Sequence, residues 1–90
     1  MNLTINFEKE SEMLKALGHP VRLRIICGLL QYGDCNVNKI VEELKLPQST
    51  ISQHLSVLKN HGIIHPRKDG VNTCYQVVDQ RVVEILNILK

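Results

Sequence analysis

The stretch LPQSTISQHLSVLKNHG, Leu46 to Gly62, decides how this chain is read, because helical spacing sorts two kinds of residue onto two faces. At about 100° per residue, Ile51, Leu55 and Leu58 fall on one side, and Ser49, Ser52, Gln53, Ser56 and Asn60 line the other. One face anchors and the other is a row of small hydrogen-bonding side chains. Hydroxyls and carboxamides of this size fit a major groove, where glutamine can pair with adenine and serine or threonine can meet most base edges. An ordinary solvated helix more often carries Glu and Lys there. The segment reads as a DNA-recognition helix.

Its neighbours strengthen that reading. Asn36 is placed to cap a helix whose apolar residues Val37, Ile40, Val41 and Leu44 sit at i, i+3, i+4 and i+7. Only Lys45-Leu46-Pro47 separates it from the next helix, and proline is tolerated in a first helical turn. Downstream, His61-Gly62 closes the second helix. Ile63 to Arg67, the tip Lys68-Asp69-Gly70-Val71 and Asn72 to Val78 then form a β-hairpin pattern. Asp69-Gly70 supplies the positive φ of a tight turn, Arg67 and Lys68 bring cations to the tip, and Pro66 marks an edge strand. Helix, turn, helix and basic-tipped hairpin make a winged helix. A plain structural ribbon is the alternative for the hairpin.

Ninety residues make one domain, 1–90. With 43% hydrophobic residues but one Phe, two Tyr and no Trp, its core is aliphatic and mostly helical, and so small a core benefits from a partner subunit. No apolar run reaches the roughly 18 residues of a membrane span, and Met1 to Glu10 lacks a signal peptide's apolar centre. The expected location is the cytoplasm, with no membrane association. Three cysteines, Cys27, Cys35 and Cys74, without a CxxC pair argue against a disulfide framework. They are expected to be reduced thiols.

A net charge of +2 is weak evidence for nucleic acid, but its placement is informative. Lys39, Lys45, Lys59, Arg67 and Lys68 lie in or beside the proposed reading unit, while Glu8, Glu10, Glu12 and Glu84 lie near the ends. Such cations on phosphates give affinity and salt dependence, and the serine and glutamine face gives base preference. Simple solubility explains some of them equally well.

The flanking segments carry more apolar surface than one small core requires. The second helix, His19 to Gln31, has Val21, Leu23, Ile25, Ile26, Leu29 and Leu30 around most of its circumference, as a buried scaffold helix does. The last segment carries Val82, Ile85, Leu86 and Leu89, with Val83 and Ile88 beside them. The first contributes Met13, Leu14, Ala16 and Leu17, preceded by Leu3, Ile5 and Phe7. The expected arrangement is a homodimer through the terminal helices, with Met13, Leu14, Leu17, Val82, Ile85, Leu86 and Leu89 at the interface, reading an inverted repeat. The alternative is that these residues complete the protomer's own core.

HPVRLRII at His19 to Ile26, followed by LPQSTISQHLSVLKNHGII and a wing, resembles the ArsR family of bacterial transcriptional repressors. The resemblance runs from about Leu14 to Leu89. It implies a mostly α winged helix-turn-helix with a small β-hairpin, ordered α-α-α-α-β-β-α, that represses as a dimer by occupying a promoter palindrome on double-stranded DNA. It places DNA contacts at Gln48, Ser49, Thr50, Ser52 and Gln53 on the helix and at Arg67 and Lys68 on the wing. Ser56 and Lys59 join them from the polar face and the basic cluster. His54 belongs to the family pattern, but its angle lies off the central polar face, so packing or a phosphate contact is as good a reading as base contact. Many members carry a basic residue after the wing glycine; Val71 stands there.

The family's metal-sensor positions do not transfer. Asn36 and Asn38 stand where a Cys-x-Cys pair is usual, with Cys35 out of register, and asparagine is no soft-metal ligand. At the other common site Asp79 fits, but Arg81 replaces histidine and no second half follows. His54, His61 and His65 are interrupted by Gly62. No metal and no cofactor is expected. Cys27 matches a position where thiol-sensing relatives carry a reactive cysteine, without its partner; Cys74 on the wing is the other thiol-responsive candidate. Control by abundance or by another regulatory protein fits these absences. No activated nucleophile, phosphate loop or metal constellation points to an enzyme. The competing function is a winged-helix protein-interaction module.

Overall fold

The computed structural model describes residues 4–90, so the expected apolar contribution of Leu3 lies outside the described residues. The elements are α1 (Phe7–Leu17), α2 (Pro20–Tyr32), α3 (Val37–Leu44), α4 (Gln48–Asn60), β1 (Ile64–Asp69), β2 (Asn72–Val77) and α5 (Gln80–Leu89). The order is that of a winged helix-turn-helix.

Local chemistry sets the boundaries. The Asn6 side chain accepts a hydrogen bond from the Lys9 amide and starts α1. His19 starts α2 in the same way, its Nδ1 accepting from the Val21 amide at 3.1 Å, with Pro20 in the first turn. Asn36 precedes α3 as expected, but its side chain makes no capping bond. Its amide donates instead to the Tyr32 carbonyl, one of the terminal carbonyls a helix leaves without partners. Gly62 ends α4 at φ +70°, and the Ile63 amide reaches back to the Leu58 carbonyl at 3.0 Å, the bonding pattern of a glycine-terminated helix.

Helix α2 is the scaffold. It contacts α1, α3, α4 and β2, and Ile25, Ile26 and Leu29 are buried among Met13, Leu17, Ile40, Ile51, Leu58, Ile63, Ile64, Val82 and Leu86. The apolar face of α4 is buried as its spacing predicted: Ile51, Leu55 and Leu58 all lie in this core. Each such side chain stabilises the docked helix by about 1.5–3 kcal/mol. Leu30, read with the buried set, faces outward at 45% exposure, because the core reaches only one side of α2.

The hairpin differs from expectation in length. The strands pair from Ile64↔Val77 to Asp69↔Asn72, so Lys68 and Asp69 belong to β1 and the turn is only Gly70-Val71. Gly70 at φ +65° permits that two-residue connection.

The cysteines also differ. Cys35 and Cys74 form a disulfide across a sequence separation of 39 residues, and Cys27 is a free, exposed thiol. Spacing alone does not show that β2 folds back onto the α2–α3 connection, so the pair was not legible in the sequence. A cross-link closing a loop of this length stabilises by about 2–4 kcal/mol, chiefly through the unfolded chain.

Gly28 lies inside α2, where glycine weakens a helix by roughly 1 kcal/mol. A Cβ there would stand 2.6 Å from Cγ1 and 2.8 Å from Cδ1 of Ile40, and a β-branched side chain turns away poorly. Gly28 sets the approach of α3 to α2. Gly28→Ala is therefore expected to lower stability by about 1–2 kcal/mol in urea unfolding despite its better helix propensity. Adding Ile40→Ala makes the pair less damaging than the sum of the single changes; strict additivity would show that the contact is not the cause.

Candidate nucleic-acid interface

Anchored from beneath, α4 exposes Gln48, Ser49, Ser52, Gln53, Ser56, Lys59 and Asn60, while Thr50 and His54 are half-buried. Pro47 precedes the helix, no side chain caps it, and its first turn carries no acidic residue. The free amides at that end suit a phosphate oxygen.

On the wing, Arg67 and Lys68 are exposed. Arg67 stands 3.8 Å from the Asp34 carboxylate, an exposed pair that a phosphate can displace. Val71 is fully exposed at the tip. Two clefts separate α4 from the wing. One is bounded by Ser52, Ser56, Lys59, Pro66 and Tyr75. The other brings Gln48 and Ser52 together with Asn38, Asn72 and Thr73. Sequence reasoning missed these last three polar residues as site candidates. The outward alternation of Thr73 against buried Cys74 was an available signal for one of them. Lys39 has a different occupation, its ammonium lying 4.4 Å over the Tyr32 ring.

His54 faces inward toward α2. Its Nδ1 lies 3.2 Å from Arg22 Nη1, and its ring centroid is 4.5 Å from that of His19. A guanidinium is always a donor, so His54 Nδ1 accepts and the ring is neutral. Desolvation, then the nearby His19 and Arg22, hold the His54 pKa below its usual value. Arg22 Nε also donates to the Ala16 carbonyl, and Nη2 reaches the Lys15 carbonyl at 3.4 Å. One side chain therefore closes the C-terminus of α1 and holds α4 by its seventh residue, His54. Of the two open readings for His54, its contacts are those of packing.

The terminal helices divide their apolar residues. Met13, Leu17, Val82 and Leu86 are buried within the protomer, and Ile85 is partly buried. Leu14 at 53%, Ile88 at 80% and Leu89 at 66% exposure remain outward, as do Ile5 and Phe7. Asp79 caps α5, accepting from the Arg81 amide at 3.0 Å, and the Arg81 guanidinium pairs with Asp79 and with Glu10 of α1. The family's sensor position is thus a helix cap and an ion pair here.

A polar recognition helix over an aliphatic core, followed by a cationic two-stranded wing, defines a winged helix-turn-helix transcriptional regulator. Residues 19–65 match the family described as bacterial regulatory protein, arsR family. An HTH-type transcriptional regulator of Methanocaldococcus jannaschii is 47% identical over 92% of this chain and 93% of its own length. The transcriptional repressor PagR of Bacillus anthracis is 34% identical over 94% of this chain and 85% of its own. Among solved structures, HlyU from Vibrio cholerae superposes with a TM-score of 0.84 at 31% identity, covering 97% of this chain and 94% of that one. A homodimeric winged helix-turn-helix DNA-binding domain from Mycobacterium bovis gives 0.80 at 25%, covering 92% and 76%. The chain belongs to the ArsR family.

Because the unfolded chain binds a proton at His54 near pH 6.5 and the native state does so only at lower pH, stability falls as pH drops below about 6.5. His54→Gln is expected to flatten that part of the slope between about pH 7.5 and about pH 5.5 in thermal unfolding; an unchanged slope would remove His54 from the account. Arg22→Ala, which strands the Ala16 carbonyl and the His54 imidazole, should lower stability by about 1–3 kcal/mol. Arg22→Lys should recover only part of it, lacking the planar fork.

Proposed function

We propose that this chain is a cytoplasmic, homodimeric repressor, a single domain over residues 1–90, that reads an inverted-repeat promoter site without a resident cofactor. The observation that carries the reading is the outer face of α4: Gln48, Ser49, Ser52, Gln53, Ser56 and Lys59 are exposed together above buried Ile51, Leu55 and Leu58. In this reading α4 lies in the major groove, with Gln48, Ser49, Ser52 and Gln53 toward base edges. Lys59, Arg67 and Lys68 meet phosphates, as do the free amides at the start of α4 around Thr50.

Repression is supported by relatives such as PagR, a transcriptional repressor; HlyU of Vibrio cholerae is a transcriptional activator. Both directions begin with the same occupation of a promoter. Dimerisation is supported by the exposed Leu14, Ile88 and Leu89 and by the homodimeric domain from Mycobacterium bovis. A two-fold pair places two α4 helices in successive major grooves, about 34–36 Å apart. No helix of the described residues is long and apolar enough to cross a membrane.

Footprinting on the gene's own upstream region tests the reading directly, with protection of two half-sites about one helical turn apart as the expected pattern. Gln53→Ala should relax base preference by about 1–3 kcal/mol, whereas Arg67→Ala should weaken every duplex alike and reduce the salt slope by about one. If both variants bound all duplexes as the parent does, α4 and the wing would not be the reading surface. Replacing Leu14 and Leu89 together by Lys should give a monomer in sedimentation and abolish binding to the paired site; a dimer surviving that change would place the interface elsewhere.

A further inference from the structure

We propose that the Cys35–Cys74 bond is a reversible thiol clamp on the wing, which holds the hairpin ready for DNA when oxidised and loosens it, with loss of operator affinity, when reduced. The inference rests on the DNA-reading function above. Cys35 lies in the connection between α2 and α3, next to Asn36 before the first turn of α3, and Cys74 lies in β2 directly across from Arg67 in the strand register. The bond therefore fastens the strand position that faces the wing's principal cation. Together with the backbone it closes a covalent ring around α3, α4 and β1, the whole reading unit.

What else fastens the wing at this point is weak. The Tyr75 amide donates to the Asp34 carbonyl at 2.8 Å, and Arg67 approaches the Asp34 carboxylate at 3.8 Å. The ion pair is exposed and contributes little in water, and a phosphate taking Arg67 would break it. Ile63 and Ile64 bury the root of the hairpin, and Tyr75 and Val77 pack against the core, but residues 67–73 are exposed throughout, and a two-stranded ribbon without a packed face is marginal in water. Reduction therefore leaves the root in place and releases the outer part, which carries Arg67 and Lys68. A wing that must be ordered on binding loses affinity relative to one already ordered.

The two sulfurs differ in access, since Cys35 is exposed and Cys74 is buried. A thiolate from an external dithiol attacks Cys35 Sγ, the S–S bond breaks, and Cys74 leaves as a thiolate that takes up a proton. The second thiol of the reductant attacks the mixed disulfide, releasing Cys35 and closing the reductant's own disulfide. Two electrons and two protons pass to the protein. A small-molecule disulfide reverses the exchange by the same route. Cys27, on α2 beside Leu30 and the α5 residues Val83 and Leu86, takes no part.

The test compares the full chain after treatment with oxidised glutathione and after treatment with dithiothreitol, each titrated onto a labelled duplex of its own upstream region. A chelator is present throughout, because the sulfurs of the Cys35–Cys74 bond and a carboxylate oxygen of Asp69 lie within 4.8 Å of one another, and a metal captured there after reduction would mimic the clamp. Alkylation with mass spectrometry establishes the thiol state: one labelled cysteine, Cys27, when oxidised, and three when reduced. The oxidised form is expected to bind about 3–10-fold more tightly, the gain from ordering a few side chains in advance. Cys35→Ser should bind like the reduced parent in both conditions, and Cys27→Ser should keep the full response. Equal affinity of the two verified states, or a response lost with Cys27, would overturn the clamp. Failure of both states to bind any duplex would instead overturn the DNA-reading function, so the two outcomes are distinct. The comparison of parent states needs no variant to fold.

Discussion

The guanidinium of Arg22 is the joint on which the reading geometry depends. It closes the carbonyl end of α1 and meets the His54 imidazole of α4, while its own helix is started three residues earlier by His19, whose ring also lies against His54. Three helices are thereby set relative to one another at one half-buried point. The apolar contacts of Ile51, Leu55 and Leu58 hold α4 against the core, but dispersion and burial are non-directional. The Arg22–His54 contact is directional, and it defines the rotation at which Ser52, Gln53 and Ser56 face outward. The two sequence signatures, HPVR and SQHL, are far apart in the chain and meet here, which is a physical reason for them to occur together.

The wing is organised by a different balance. A two-stranded ribbon with a two-residue turn has little core of its own, so its position is decided by what ties it to the helices. Burial of Ile63 and Ile64 fixes its root, and the Cys35–Cys74 bond, the Tyr75–Asp34 hydrogen bond and the Arg67–Asp34 pair fix one side of it. Covalent, neutral and ionic ties differ in their response to conditions: the first to redox state, the last to salt. The helical part is held chiefly by aliphatic burial, with the exposed Arg81–Glu10 pair between α1 and α5 as its salt-sensitive tie.

The terminal helices show how one amphipathic stripe serves two purposes. On α5, Val82 and Leu86 complete the protomer, while Ile88 and Leu89 stay in water; on α1, Met13 and Leu17 turn inward and Leu14 outward. A residue's place in the stripe does not say which surface it meets. A sequence records that a side chain is apolar, whereas the division between core and exposed surface depends on where the neighbouring elements end.

The complete element order came from the family resemblance, but the recognition helix with its two faces and the hairpin were legible from local rules: spacing of 3.6 residues, glycine at positive φ, and proline where an amide is not needed. So was the outward placement of Gln48, Ser49, Ser52, Gln53 and Ser56, because a helix over an anchored face has no other way to turn. What only the tertiary structure decided involves groups brought together from distant segments. His54 turned toward Arg22, Asn36 bonded back to Tyr32 instead of capping α3, Arg81 paired with Glu10, and Cys35 joined Cys74. Each depends on a chain reversal whose angle no local pattern encodes. Periodicity determines which face of an element is buried, but the identity of the partner on that face follows from packing the whole chain around one core.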